Sequence, residues 1–287
     1  NLKNITFEKG TTKIAAYLFM DCEGIEEIEI PDTVTIIEWD AFHNCKNLKK
    51  VSIPNTVIKI ESRAFENCAK LTEIAIPDRV TEIGGSAFSD CTSLPQIIIP
   101  DSVISIGAYC FENCTNLSSV TLSKNIKSIK NSLFKNSGVS KIIIPDQVTD
   151  IEEYAFQNCI SLAEVTLPDS WQKIEAYAFN NCDALTSITI PDSVTQLGTS
   201  IFAESELLNS VTLGSGITII PSYAFNLCPS LQKIILPYRV AKVNSNAFTN
   251  CTSLTEITIP KATTTIASGV FSYPARLTIY GISGTYA

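Results

Sequence analysis

The chain has 287 residues, 45% of them hydrophobic, with 29 Asp plus Glu against 21 Lys plus Arg and a formal net charge of −8. That balance disfavours nucleic acid, whose phosphates need concentrated positive charge, and an anionic lipid surface for the same reason. No apolar run approaches the ~18 residues that a membrane-spanning helix requires.

From its first residues the chain is in phase with a repeat: Asn1 to Phe7 (NLKNITF) already carries a strand pattern at Leu2, Ile5 and Phe7, so the chain is expected to open inside an array. Phenylalanine then marks a beat. Phe19, Phe42, Phe65, Phe88, Phe111 and Phe134 are 23 residues apart, and after one step of 22 so are Phe156, Phe179, Phe202, Phe225, Phe248 and Phe271. A fixed period of this length is the signature of a solenoid. By length alone 287 residues could hold two globular domains; the period predicts one elongated domain over 1–287.

The segment Leu71 to Cys91 (LTEIAIPDRVTEIGGSAFSDC) shows the unit in full. In L-x-x-I-x-I-P, Ile74 and Ile76 alternate with polar residues, the period of a strand with one buried face, and Pro77 stops it. This reading centres each strand on the x of I-x-I. Asp78 suits a turn, and Val80, Thr81 and Ile83 read as a second short extended piece. Ala87, Phe88 and Cys91 have a spacing that suits one helical or 3₁₀ turn packed inward. The residue before the Cys is usually Asn (Asn44, Asn67, Asn113, Asn158, Asn181, Asn250), which tolerates the left-handed conformation. No single unit can bury its apolar positions; stacked copies bury them as continuous rows.

The rhythm falters twice. Near 122–142 the proline becomes Ser123, the Cys becomes Ser137, and one residue is deleted beside Gly138. In 201–216 Glu204 and Ser205 replace Asn-Cys, and Gly214 replaces the proline. Both patches read as drift within a redundant array. Trp171 takes an inward Val position (compare Val148 and Val194), where its bulk is expected to disturb its neighbours; Trp39 falls at an outward position. Tyr17, Tyr109, Tyr154, Tyr177 and Tyr223 share a place two before the Phe and should decorate the outer side. At about 272–287 the pattern departs: Pro274 stands for Cys, the last strand is Leu277 to Ile279, and LTIYGISGTYA suits a cap over the final layer.

The strand signature resembles the L-x-x-L-x-L core of leucine-rich repeats. The whole unit, with its Pro-Asp-x-Val, Ala-Phe and Asn-Cys marks, is similar to the 23-residue class found in BspA-like surface proteins. The resemblance implies an α/β fold: a right-handed leucine-rich-repeat solenoid of about 12 repeats, with a parallel β-sheet on the concave face and short helical or 3₁₀ turns on the convex side. It implies an extracellular or cell-surface location, with no anchor in this chain, and an adhesion role. The family shares no catalytic residue, so none is carried over.

Ten cysteines invite disulfides or metal. Nine occupy one row: Cys22, Cys45, Cys68, Cys91, Cys114, Cys159, Cys182, Cys228 and Cys251. Neighbours in such a row stand roughly 4.8 Å apart with parallel Cβ vectors, which opposes a relaxed bridge, and a line of thiols does not converge on zinc. Reduced, buried thiols are expected, with Cys110 in the small Ala position behaving likewise. The single histidine, His43, is read as a surface residue, and one His builds neither a triad nor a His cluster. Asp78 with Asp101, and Asp146 with Asp169 and Asp192, could bind calcium where they stack, but turn chemistry accounts for each. No catalytic residue, cofactor or metal is assigned.

What remains is recognition. The x of I-x-I points to solvent and is mostly polar or small, but three coils place isoleucine there: Ile98, Ile143 and Ile235. Ile98 and Ile143 lie two repeats apart with Thr121 between, beside Gln96, Ser119 and Lys141. The expected binding residues are therefore Ile98, Thr121, Ile143, Gln96 and Lys141, an apolar centre with a polar rim. The expected function is a non-catalytic, monomeric recognition module for a protein or glycan on a host or microbial surface. The alternative is a structural spacer of a larger cell-surface protein.

Overall fold

The computed structural model describes residues 5–273 and 276–281. The chain divides into two compact units, residues 1–147 and 148–287, with six of the phenylalanine-marked coils in each. The coils form a parallel β-solenoid of about twelve turns.

In the first unit each coil contributes two strands. The L-x-x-I-x-I segments pair in parallel as Glu27–Glu29 with Lys50–Ser52 and Glu73–Ile74, and as Gln96–Ile98 with Ser119–Thr121 and Lys141–Ile143. The V-T-x-I segments form a five-stranded parallel sheet of two-residue strands, Lys13–Ile14, Ile36–Ile37, Lys59–Ile60, Glu82–Ile83 and Ser105–Ile106. Gln96 opposes Ser119, a step of 23, whereas Ser119 opposes Lys141, a step of 22. The deletion is thus absorbed between strands without loss of pairing. Gly138 makes this possible, because a Cβ there would collide with the carbonyl oxygen of Thr115. The second unit repeats the scheme, with Ser187–Thr189 on Ser210–Thr212, and Lys233–Ile235 on Glu256–Ile259 and then Thr278–Gly281.

Several sequence expectations need correction. The strands are centred one residue earlier than the x of I-x-I. In Gln96–Ile98 the middle residue is the buried Ile97, and the second inward residue, Ile99, follows the strand while still donating its N–H to Thr121. The last strand likewise runs Thr278–Gly281 rather than ending at Ile279. Of the set Ile74, Ile76, Val80, Ile83, Phe88 and Cys91, all are buried except Ile74, which is half-buried.

The S-A-F-x-x-C segments are not helical or 3₁₀ turns: no helix occurs among the described residues. Each coil instead places two residues in the left-handed region, two before and two after the Phe, as with Asp40 (φ 54°) and Asn44 (φ 60°), or Tyr177 (58°) and Asn181 (55°). A left-handed L-residue costs roughly 1–2 kcal/mol, and two per coil forbid a helix. What they permit is a backbone ladder between coils. Asp40, Phe42 and Asn44 donate their N–H groups to the carbonyls of Ser62, Ala64 and Glu66 in the next coil, at 3.1, 2.8 and 2.9 Å. Residues in between donate locally, His43 to Asp40 and Cys45 to Phe42. Every backbone donor in the segment therefore finds an acceptor, which buried peptide groups demand. The Asn side chains add a ladder of their own: Asn67 donates to Asn44 at 2.6 Å, and Asn44 to Asp21 at 2.8 Å.

Inside, the phenylalanines stack as parallel rings. Centroids from Phe19 through Phe134 are 5.1 to 5.7 Å apart with interplanar angles of 4 to 18°. In the second unit Phe156 through Phe271 repeat this at 5.2 to 5.9 Å. Phe7, the one phenylalanine outside the beat, meets Phe19 edge-on at 6.1 Å and closes that end of the stack. Beside the rings, seven ladder thiols donate to the Phe carbonyl of the preceding coil, among them Cys45 to Phe19 at 3.0 Å, Cys91 to Phe65 at 3.2 Å and Cys114 to Phe88 at 3.0 Å. Ser205, in the irregular patch, makes the same bond with its hydroxyl to Phe179 at 3.3 Å, so Ser for Cys preserves the contact. Gly214, in the same patch, allows an approach in which a Cβ would collide with the carbonyl of Pro191.

Trp171 is fully buried and does not disturb its neighbours as expected: Asp150–Ile151, Lys173–Ile174 and Gln196–Leu197 keep a regular parallel register around it. Trp39 is 41% exposed. The two indoles should therefore be separable in solution. In a Trp39→Phe variant the remaining emission should be blue-shifted and several-fold less quenchable by acrylamide than in a Trp171→Phe variant. Equal quenching of both would place Trp171 outside the core. Pro274 and the 282–287 part of the expected cap lie outside the described residues.

Candidate functional site

The parallel register decides which side chains share a face. Because Thr121 opposes Ile98 and Ser119 opposes both Gln96 and Lys141, the five sequence-selected residues fall on three adjacent strands of one sheet. Ile98 and Ile143 are 65% and 63% exposed, against 2% and 1% for their inward neighbours Ile97 and Ile142. Two strand spacings separate the two isoleucines, roughly 10 Å. A depression of about 570 Å³ opens beside them, lined by Thr121, Lys124, Lys141 and Ile143 together with the Ser118, Ser119 and Ser140 segments. Gln96 and Ile98 lie on the adjacent strand, outside that depression. In the second unit Ile235 is 59% exposed on its own strand.

Several exposed apolar groups escaped the sequence reading. Ile58 and Ile104 flank Thr81 on the second row of each coil and are both exposed. The signal was available, since V-T-x-I has isoleucine in the Thr position there. The tyrosine row is outward as expected for Tyr17, Tyr109 and Tyr223, and half-buried for Tyr154 and Tyr177, whose rings stack at 5.1 Å. Tyr17 packs against Trp39 edge-on at 4.4 Å. All five tyrosines have φ between 58 and 62°, which no property of tyrosine announces.

The Pro-Asp turns also work between coils. Asp101 accepts the N–H of Lys124 at 3.0 Å and Asp192 that of Ser215 at 2.6 Å, and these backbone bonds hold both carboxyls below their ordinary range. His43 is not the surface residue expected. Its side chain is 20% exposed, with Nδ1 3.1 Å from Oε2 of Glu66 and 3.6 Å from Oδ1 of Asp40, itself buried. Burial pushes the Glu66 carboxyl up, opposed by the neighbouring His43 and Arg63.

With this geometry established, comparison with known proteins gives a consistent picture. The family described as "BspA type Leucine rich repeat region (6 copies)" matches residues 1–91, 36–163, 81–207 and 149–278. Among solved structures, the chain is similar to a leucine-rich repeat protein from Bacteroides ovatus at 26% identity and a TM-score of 0.70, covering 99% of this chain and 91% of that one. It is similar also to a leucine-rich cell surface protein from Faecalibacterium prausnitzii at 31% identity and a TM-score of 0.63, covering 99% and 87%. The pneumococcal vaccine antigen PcpA shares the fold, at 22% identity, a TM-score of 0.53 and coverage of 95% and 85%. No curated protein matches. The matching family is a repeat scaffold and not a catalytic one. Among the described residues no helix is long and apolar enough to cross a membrane.

Proposed function

Because the chain belongs to the BspA-type leucine-rich repeat family, we propose that it is a non-catalytic recognition module, displayed outside the cell, that binds a host or neighbouring macromolecule through its sheet face. Solenoids of this kind offer an extended surface whose shape is set by stacking, so recognition needs only outward substitutions that leave the core untouched. A cell-surface setting is supported by the description of the Faecalibacterium prausnitzii relative. The observation that carries the reading is the pair Ile98 and Ile143, exposed on one face with Thr121 between and with Gln96 and Lys141 at the rim. Exposed β-branched side chains stabilise no core here, whereas an apolar centre within a polar rim is the anatomy of a binding patch.

The test is a screen of the purified chain against matrix proteins and glycans, repeated with Ile98→Asp/Ile143→Asp. Both positions are exposed, so the double variant should keep its circular dichroism and melting temperature. Loss of two central apolar contacts should weaken binding at least tenfold. Unchanged affinity would move the site away from this face, with the tyrosine row as the next surface to substitute.

A further inference from the structure

The only histidine of the chain sits in the only cluster of metal-ligating side chains found among the described residues. Asp40 and His43 belong to one coil and Glu66 to the next. One donor atom from each lies within 4.8 Å of the other two. Nδ1 of His43 is 3.1 Å from Oε2 of Glu66 and 3.6 Å from Oδ1 of Asp40, and Nδ1 is shut off from water with no hydrogen-bond partner. The Asp40 side chain is 4% exposed, and Arg63 occupies its other oxygen, Oδ2, at 2.8 Å. A buried carboxylate held by one hand thus turns its free oxygen toward an unpartnered imidazole nitrogen and a second carboxylate. With Nδ1 unprotonated, three electron-rich atoms converge with nothing between them, an arrangement that either a proton on Nδ1 or a metal cation relieves.

We propose that Asp40 Oδ1, His43 Nδ1 and Glu66 Oε2 form a three-ligand site for a divalent transition-metal ion of the zinc class. Bonds of about 2.0–2.2 Å to a tetrahedral ion place neighbouring donors roughly 3.3–3.6 Å apart, close to the two distances that His43 makes. The Glu66 side chain is 23% exposed and has room to bring its oxygen nearer Asp40. One imidazole with two carboxylates suits zinc or manganese better than calcium, and three protein ligands leave one position open for water or a partner's donor. Arg63 fixes Asp40 and offsets part of its charge. The site belongs to one place in the array: the following coils have Arg63, Ser86 and Tyr109 in the Asp40 position and Ser89 and Glu112 after Glu66 in the His43 position.

Chelator-stripped protein titrated with Zn²⁺ should bind one ion per chain by calorimetry, and the ring signals of the single imidazole should shift by proton NMR. His43→Ala and Glu66→Gln should each weaken binding at least tenfold. Glu66→Gln keeps size and shape, so it serves even if the His43 variant folds poorly. Glu112→Gln, two coils further on and paired with Lys135, should bind as the parent does. Absence of saturable binding, imidazole signals that do not move, or full affinity in Glu66→Gln would each overturn the site; zinc taken up by thiols alone would show itself as the second of these.

Discussion

Phe111→Ala should lower the free energy of unfolding by about 3–5 kcal/mol, read as a drop in denaturant midpoint at nearly constant slope. The ring is completely buried and lies between Phe88 at 5.7 Å and Phe134 at 5.6 Å, so its removal empties a layer and leaves two rings without their stacking partner. Neighbouring coils cannot collapse into the gap, because their spacing is held by strand pairing on one side and by the Phe111 to Leu133 backbone bond on the other. A cost below about 1 kcal/mol for Phe111→Ala would show that the ring stack is not the core.

The second large effect is chemical. Burial pushes the Cys45 and Cys251 thiols up to about 12 and raises Cys68, Cys91, Cys182 and Cys228 in the same direction. Only the thiolate reacts, so at pH 8 Cys45 and Cys251 should alkylate roughly three orders of magnitude more slowly than a free cysteine of pKa about 8.5, and Cys68, Cys91, Cys182 and Cys228 slowly too. Cys22, half-buried at the first coil, should react first. Ladder thiols labelled at free-cysteine rates in native protein, or disulfides between successive coils by mass spectrometry, would contradict this. The same shift has a consequence for alkaline stability. The folded chain disfavours thiolate and so holds its thiol protons to higher pH than the unfolded chain does. Stability is therefore complete below about pH 8.5 and falls as pH rises toward 12, by up to ~1.4 kcal/mol per pH unit for each such cysteine. Because the six shifts share one sign, their contributions add, and alkaline unfolding should be steep.

Period, core and strand pairing were legible in the sequence because they depend on side-chain class at fixed spacing. Twelve phenylalanines in phase leave little freedom for the register, and the same phase puts Ile98 and Ile143 on one face. The turn side was not legible. Alanine, Phe and Cys at that spacing fit a helical turn equally well, and what excludes it is the left-handed backbone at Tyr17, Arg63 or Tyr223, residue types with no preference for that region. Nor could the thiol bonds to the Phe carbonyls be read, since a buried Cys in a row looks like a small hydrophobe. His43 was misplaced for a related reason: its burial depends on Glu66 in the following coil, a neighbour 23 residues away in the chain.

On the turn side, the N–H groups of Asp40, Phe42 and Asn44, and those of Tyr177, Phe179 and Asn181 in the second unit, all point toward the coil that follows. A ladder bonded in one direction has a sense, like an arrow. The peptide dipoles along it add rather than cancel, and in the sense opposite to an α-helix, with the donor ends leading toward the C-terminus. Such a stack is a grammatical object: one end can only be appended to by a coil that offers carbonyls, the other only by a coil that offers N–H groups. Two copies meeting at like ends could not continue it, so lengthening the array, whether by gene duplication or by engineering, is confined to head-to-tail insertion of whole coils of 22 or 23 residues.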